Sequence, residues 1–439
     1  MKKDRISVGI IGFGTVGSGT AKILLESRDI IRERAGFDVV LKKIADLDIK
    51  KDRGVRIPDG VLTTDADAVL NDPDIDIVVE LMGGIHPAKE FMLRAIRNKK
   101  HVVSANKALL ATEGNEIFAE AGKQNVEVGF EASVAGGIPI IKVVREGLVA
   151  NNIVAIYGII NGTSNYILTK MTNEKVEFSD ALKEAQRLGY AEADPTFDIE
   201  GIDTAHKLTI LSSLAYGIPL SYNEVYKEGI TKITAQDIDF ASELGYKIKL
   251  LAVTKASNGA IEMRVHPTMV PSDYLISKID GVFNAVYVEG DAVGSTLYYG
   301  RGAGDMPTGS AVVSDIVDIG RNIMSGGILR VPGIAPRGAQ KAGQRRIKAM
   351  EDIESMYYFR FAAMDEPGVL SKISGILGSY NISIASVIQK GRRIGGSVPL
   401  VVLTHRAKER DVISSIKQID ALPIVSDKTL FIRVEGSGE

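Results

Sequence analysis

Residues 6–17 read Ile-Ser-Val-Gly-Ile-Ile-Gly-Phe-Gly-Thr-Val-Gly, an apolar run that turns directly into Gly12, Phe13, Gly14, Thr15, Val16 and Gly17. The segment behind it, SGTAKILLESRDIIRER from Ser18 to Arg34, has helical spacing. This is G-x-G-x-x-G between a strand and a helix. The first two glycines permit a tight turn and close approach of backbone to a pyrophosphate, and the third lets helix and strand pack. The helix N-terminus then faces the phosphates. The fold class that follows is α/β, beginning with a Rossmann-type dinucleotide-binding domain.

Working outward, Val39–Ala45 reads as the second strand and ends at Asp46. An acidic residue there hydrogen-bonds the adenosine ribose and leans toward NAD, whereas Lys50, Lys51 and Arg53 nearby suit the 2′-phosphate of NADP. The gap from Gly17 to Asp46 exceeds the usual ~20 residues, which an extended first helix would explain. Asp76–Glu80 is a third strand with Met82, Gly83 and Gly84 at its carboxyl end. A helix over Pro87–Arg97 leads to strand His101–Ser104 and then to Asn106 and Lys107, and Val126–Phe130 ends at Glu131. Ligands of open α/β sheets sit beyond the carboxyl ends of the strands.

In the middle of the chain, residues 135–139 open a helix and Asn152–Ile160 alternates as a strand. Asn161–Tyr166 is a polar turn, because Asn-Gly signals one. The stretch Ala185–Lys207, AQRLGYAEADPTFDIEGIDTAHK, packs Glu192, Asp194, Asp198, Glu200, Asp203 and Lys207 into a short span. Residues 194–198 read as loop, since Pro195 disfavours helix at Asp194. A helix follows from Gly201, placing Asp203 and Lys207 on one face. The plain reading of that pair is an exposed ion pair, which contributes little. Lys247–Lys255 and Ile261–His266 read as strands, and a Gly-rich loop from Gly300 to Pro307 leads into helix 308–323.

Composition narrows the chemistry. The 439 residues contain no cysteine and five scattered histidines, so a thiol nucleophile, disulfides and Cys–zinc sites are excluded. An aldehyde dehydrogenase forming a thioester is ruled out with them. A net charge of −2 argues against a nucleic-acid partner. The longest apolar runs are too short to span a bilayer, and the N-terminal run reads as the first strand rather than a signal peptide. The location expected is the cytoplasm.

By this point the motifs resemble a family. GFGTVG, the S-A-N-K of 104–107, EASVAGGIP of 131–139, NGTSNYI of 161–167, RGAGDMPT of 301–308 and the 185–207 signature occur in order. Together they look like homoserine dehydrogenase. That resemblance implies interconversion of L-homoserine and L-aspartate 4-semialdehyde with NADP or NAD. It implies Lys207 as the acid/base lysine, with Asp203 and Lys107 beside it, and Glu192 and Asp198 on the substrate ammonium. Gly162, Thr163 and Tyr190 would line the substrate. The cofactor set would be residues 12–17, Asp46, Met82, Gly83, Gly84, Ser104, Asn106, Lys107, Gly302 and Gly304. Glu131, Val134, Gly136 and Ile138 resemble a structural sodium site. The rival readings are another amino-acid-linked NAD(P) dehydrogenase of this fold, or a catalytically inert nucleotide and amino-acid sensor.

From Ser355 the predicted order is βαββαβ, the ferredoxin-like pattern. It resembles an ACT domain, with Asp365, Gly368 and Asn381 as candidate ligand contacts. That implies threonine as an allosteric inhibitor. The expected organisation is a dinucleotide domain over 1–133 completed by helix 307–323, and an α+β substrate and oligomerisation domain over 134–306. A linker over 325–353 and an ACT domain over 354–435 follow, in a homodimer or homotetramer.

Overall fold

The computed structural model describes residues 4–327, 333–334, 345–390 and 396–436. Much of the expected linker lies outside the described residues, as does the segment 391–395 of the C-terminal region. The chain divides into two compact units. One contains residues 1–162, 203–225 and 283–345, and the other contains 163–202, 226–282 and 346–439. The expected region 134–306 is thus shared between them.

The first unit is built on a six-stranded parallel sheet: β1 (Arg5–Ile11), β2 (Asp38–Ala45), β3 (Leu62–Thr63), β4 (Ile77–Glu80), β5 (His101–Ser104) and β6 (Val128–Gly129). The order is β3-β2-β1-β4-β5-β6. Chain progression reverses between β1 and β4, which opens a ligand crevice at their carboxyl ends. Ile6, Val8, Ile10, Ile77, Val79 and Val103 are fully buried in the core, each contributing roughly 1.5–3 kcal/mol by removal from water. β1 is apolar at almost every position because a parallel sheet is covered on both faces. The last helix, Asp305–Ser325, packs on helix Thr15–Glu26 through Gly19 and Gly309, where a Cβ on Gly19 would lie 2.3 Å from the Asp305 carbonyl oxygen.

The long gap before Asp46 has a different cause from the one expected. The first helix stops at Glu26, and a second helix, Arg28–Ala35, follows Ser27. This unit also carries an antiparallel set of strands, Ile153–Ile159, Phe283–Gly290 and Gly294–Arg301.

The second unit holds a sheet in which strand Tyr246–Ser257 pairs antiparallel with Ala260–Pro271. Ala260–Pro271 in turn pairs parallel with Val425–Val434. Strands Val425–Val434, Glu354–Met364, Ser397–Thr404 and Ile384–Gln389 then lie side by side, all antiparallel. Helices Val369–Ser379 and Glu409–Ile419 bury Ile373, Leu377, Val412 and Ile419 against Tyr357, Phe359 and Phe361. This is the ferredoxin-like arrangement of the βαββαβ order. The alternate residues Tyr358 and Arg360 meet Asp237, whose carboxylate accepts from the Arg360 Nε at 2.6 Å and the Tyr358 hydroxyl at 3.2 Å. Glu435, just past the last strand, accepts from the fully buried Arg264 at 2.5 Å and from Lys255 at 2.6 Å.

Candidate active site

The glycine loop follows β1 as its sequence requires. Gly12 has φ +101°, and a Cβ there would stand 2.6 Å from the Leu81 carbonyl carbon and oxygen. A Cβ on Gly17 would be 2.2 Å from the Gly12 carbonyl oxygen, so both positions demand glycine. Asp46, at the end of β2, accepts from the Phe13 N–H at 2.6 Å. The Arg53 guanidinium lies 3.5 Å from Asp46 and over the Phe13 ring. The acid that favours a ribose hydroxyl and the cation that favours a 2′-phosphate therefore share one spot.

At the ends of β4 and β5, Ser104 donates to Glu80 at 2.7 Å, and the Asn106 N–H donates to the Ser104 hydroxyl at 3.0 Å. Asn106 caps helix Lys107–Gln124, its side-chain oxygen accepting from the Leu109 N–H. Lys107 is the first residue of that helix. Its ammonium stands 2.9 Å from Asp203 Oδ1.

The other Asp203 oxygen accepts from Lys207 at 2.6 Å and from the Asn161 side chain at 3.0 Å. Lys207 also donates to the Ile160 carbonyl at 2.7 Å. Helix Ile202–Tyr216 is buried on nearly all sides; Asp203 is 4% exposed and Lys207 8%. The exposed-ion-pair reading is therefore corrected: helical spacing set the pair, but burial makes it expensive and strongly coupled. Burial alone would push the Asp203 carboxyl up, but Lys207 and Lys107 outweigh it and hold the carboxyl well below its ordinary range.

The remaining substrate candidates, Thr163, Tyr190, Glu192 and Asp198, belong to the second unit. Two local expectations change there. Residues 161–166 do not form a free turn, because a helix runs from Gly162 to Glu174 and takes the polar residues as its first turn. Residues 194–198 are not all loop: Thr196–Ile199 is one helical turn, begun by Asp194, which accepts from the Thr196 N–H and hydroxyl. Pro195 keeps Asp194 out of the helix yet suits the position just before the first turn. Thr163 donates to the Tyr190 carbonyl at 2.6 Å, and Ser164 to the Asp198 carbonyl at 2.9 Å. These bonds tie the helix start to the acidic stretch.

Glu131 is 1% exposed, and its carboxylate accepts from the N–H groups of Ile141 and Lys142 at 2.8 and 2.9 Å. Burial, and then the neighbouring Asp315, push it up to about 7. Burial likewise lifts Asp315 to about 6. With that carboxylate engaged by two donors, a sodium ion here would be held by backbone carbonyls. The left-handed pair Ala135 (φ 55°) and Gly136 (φ 52°) curls the backbone beside Glu131. No cluster of three or more His, Cys, Asp or Glu side chains suited to a metal occurs among the described residues. Gly302 lies against buried Asn284, whose amide would be 1.9 Å from any Cβ added there. In the C-terminal region Gly368 (φ 89°) caps a helix start and Asn381 has φ 57°. Both positions have a backbone reason for their residue as well as a candidate ligand role.

Sequence reading missed Glu80 and Asn161 as site residues. The signal for Glu80 was an acid ending the otherwise apolar strand Ile-Val-Val-Glu; Asn161 was hidden in what read as a turn.

A doubly wound parallel sheet, its glycine loop and two lysines sharing the buried carboxylate of Asp203 define a dinucleotide-dependent oxidoreductase, here with a ferredoxin-like C-terminal module. Residues 139–317 match the homoserine dehydrogenase family, 12–131 its NAD-binding domain and 357–422 the ACT domain. The chain belongs to the homoserine dehydrogenase family. It is 50% identical over 430 residues to a homoserine dehydrogenase of Neisseria gonorrhoeae, covering 98% of each chain. A crystal structure of a homoserine dehydrogenase from Thiobacillus denitrificans superposes with a TM-score of 0.93 at 50% identity, covering 98% of each chain. A hyperthermophilic archaeal homoserine dehydrogenase in complex with NADPH matches with a TM-score of 0.63 and 28% identity, over 75% of this chain and 99% of that one. No described helix is long and apolar enough to cross a membrane.

Proposed function

We propose that the protein interconverts L-homoserine and L-aspartate 4-semialdehyde by direct hydride transfer, with Lys207 handling the hydroxyl proton. The observation that carries this reading is Asp203, one buried carboxylate shared by Lys107 and Lys207. One carboxylate neutralises at most one of two ammonium groups, so a proton leaves this cluster more readily than it would leave an isolated buried ion pair. The bound dinucleotide supplies the hydride acceptor or donor. Lys207 takes the alcohol proton in oxidation and returns it in reduction. Lys107 stands between the cofactor turn and the substrate, while Glu192, Asp198, Gly162, Thr163 and Tyr190 receive the amino acid. Homoserine should turn over faster than its deaminated hydroxy-acid analogue, because the analogue offers no cation to exposed Glu192 and half-buried Asp198. Equal kcat/KM for both compounds would remove the assignment of Glu192 and Asp198.

The Asp46–Arg53 pair supports use of both dinucleotides: Asp46 for the ribose hydroxyl of NAD, Arg53 for the 2′-phosphate of NADP. The curl at 135–136 supports a sodium ion held by Glu131 with the backbone carbonyls of Val134, Gly136 and Ile138. The ACT module supports feedback inhibition by threonine through Asp365, Gly368 and Asn381, placing the enzyme in the supply of threonine, methionine and isoleucine. The same reading divides the chain into dinucleotide, substrate and regulatory regions, assembled as a dimer or tetramer and acting in the cytoplasm. One kinetic panel tests the three ligands: both dinucleotides, sodium or potassium, threonine present or absent. Comparable use of NAD and NADP, higher activity in sodium and inhibition by threonine are expected. Each arm that shows no difference of the expected kind removes its own assignment.

A further inference from the structure

We propose that Glu80 is a positioning residue for the reaction, fixing in one register the three backbone segments that face the dinucleotide and Lys107. The inference rests on the reading of Lys107 and the β4–β5 turns given above.

Glu80 ends β4 at 1% exposure, opposite Ile11 in the parallel register with β1. One carboxylate oxygen accepts from the Met82 N–H at 2.8 Å. The other accepts from the Ser104 hydroxyl at 2.7 Å. Each bond reaches a different segment. The Leu81–Met82 peptide is the surface against which Gly12 rests, with the Met82 nitrogen 2.8 Å from where a Gly12 Cβ would stand. The held Met82 N–H thus sets the floor of the glycine loop and the start of the Met82–Gly84 turn. Ser104 passes the constraint on: its oxygen receives the Asn106 N–H, and the Asn106 side chain donates to the Gly84 carbonyl at 2.6 Å. Asn106 then caps the helix whose first residue is Lys107.

The chemistry of the choice argues for function. A buried carboxyl is costly, and stability alone is served as well by an apolar residue of similar volume. Among the described residues no cation pairs with Glu80; the N–H groups of Met82 and Gly83, the Ser104 hydroxyl and the Asn106 amide meet its charge. Burial accordingly raises its pKa. What a carboxylate supplies here is two acceptors aimed at two different loops, which no apolar side chain provides.

The test uses the full chain with Glu80→Ala, Glu80→Gln, Ser104→Ala and Lys107→Ala. Melting temperature, dinucleotide Kd without substrate, KM and kcat per folded site are measured for each. Glu80→Ala should raise the dinucleotide Kd and lower kcat, with kcat/KM falling on the order of 10–100-fold, the scale of a reacting group displaced by about 1 Å. Glu80→Gln keeps the shape and one strong acceptor and should restore most of the loss. Ser104→Ala removes the link from Glu80 to β5 together with the acceptor of the Asn106 N–H, and leaves the Met82 bond in place; it should lower kcat more than it raises Kd, and it decides the matter if Glu80→Ala does not fold. Lowered melting with wild-type Kd, KM and kcat in Glu80→Ala and Ser104→Ala would overturn the proposal, leaving Glu80 a structural residue. If Lys107→Ala keeps wild-type kcat, the reading of Lys107 fails separately. The dinucleotide Kd of the Glu80 variants still decides whether the β4 turn is positioned by Glu80.

Discussion

Lys207→Ala should lower kcat by about 10²–10⁴-fold, the usual contribution of a positioned acid/base group, while the dinucleotide still binds. The fold should survive. Removing Lys207 leaves Asp203 with Lys107 at 2.9 Å and Asn161 at 3.0 Å, so no buried charge is abandoned. Binding of the reduced dinucleotide, followed by fluorescence, separates loss of chemistry from loss of cofactor. Wild-type kcat in the variant would transfer the proton-carrying role to another group. Lys107→Ala is the first comparison to make, because Lys107 has the more exposed ammonium of the two.

Asp203→Asn should cost about 3–5 kcal/mol of stability near neutral pH, the range for breaking a buried ion pair from one side. The variant leaves Lys207, 8% exposed, with a carbonyl and an amide but no anion. The pH dependence follows from the lowered pKa of Asp203 in the folded state. A carboxyl depressed on folding contributes fully above its unfolded pKa of about 4 and loses that contribution as pH falls toward the folded value. The stability gap between wild type and variant should therefore be widest above about pH 4 and shrink below it. Urea unfolding across pH 3–8 reads this directly. A gap that stays constant through the acid range would show that Asp203 stabilises by shape rather than by charge.

The two predictions differ in how much of their basis was legible in the sequence. Four-residue spacing places Asp203 beside Lys207 on any helix, so that contact was readable. Lys107 reaches the same carboxylate from the end of β5, a meeting made by the sheet order and absent from local pattern. The glycine loop was readable because each glycine has a steric reason. Ser27, which divides the first helical run in two, carries no strong breaker signal, so the break went unseen. Asn161-Gly162 signals a turn, yet the following Thr163 and Ser164 bond to Tyr190 and Asp198, and those distant acceptors favour a helix start there. The βαββαβ order of the C-terminal module was readable, and the strands form that ferredoxin-like sheet. That order could not say that the last strand would pair with Ala260–Pro271, since edge pairing depends on what lies alongside.

That edge pairing bears on how the proposed inhibition by threonine could be removed. A regulatory tail joined by a linker alone could be clipped off or exchanged for another. Here the final strand is stitched into the neighbouring sheet, and Glu435 beyond it shares with Glu262 the guanidinium of Arg264, which has no access to solvent. A chain ended near Gly326 would remove that strand and leave the cation with Glu262 alone. Desensitised forms are therefore to be sought as single substitutions around residues 365–381, with the tail left in place as part of the scaffold.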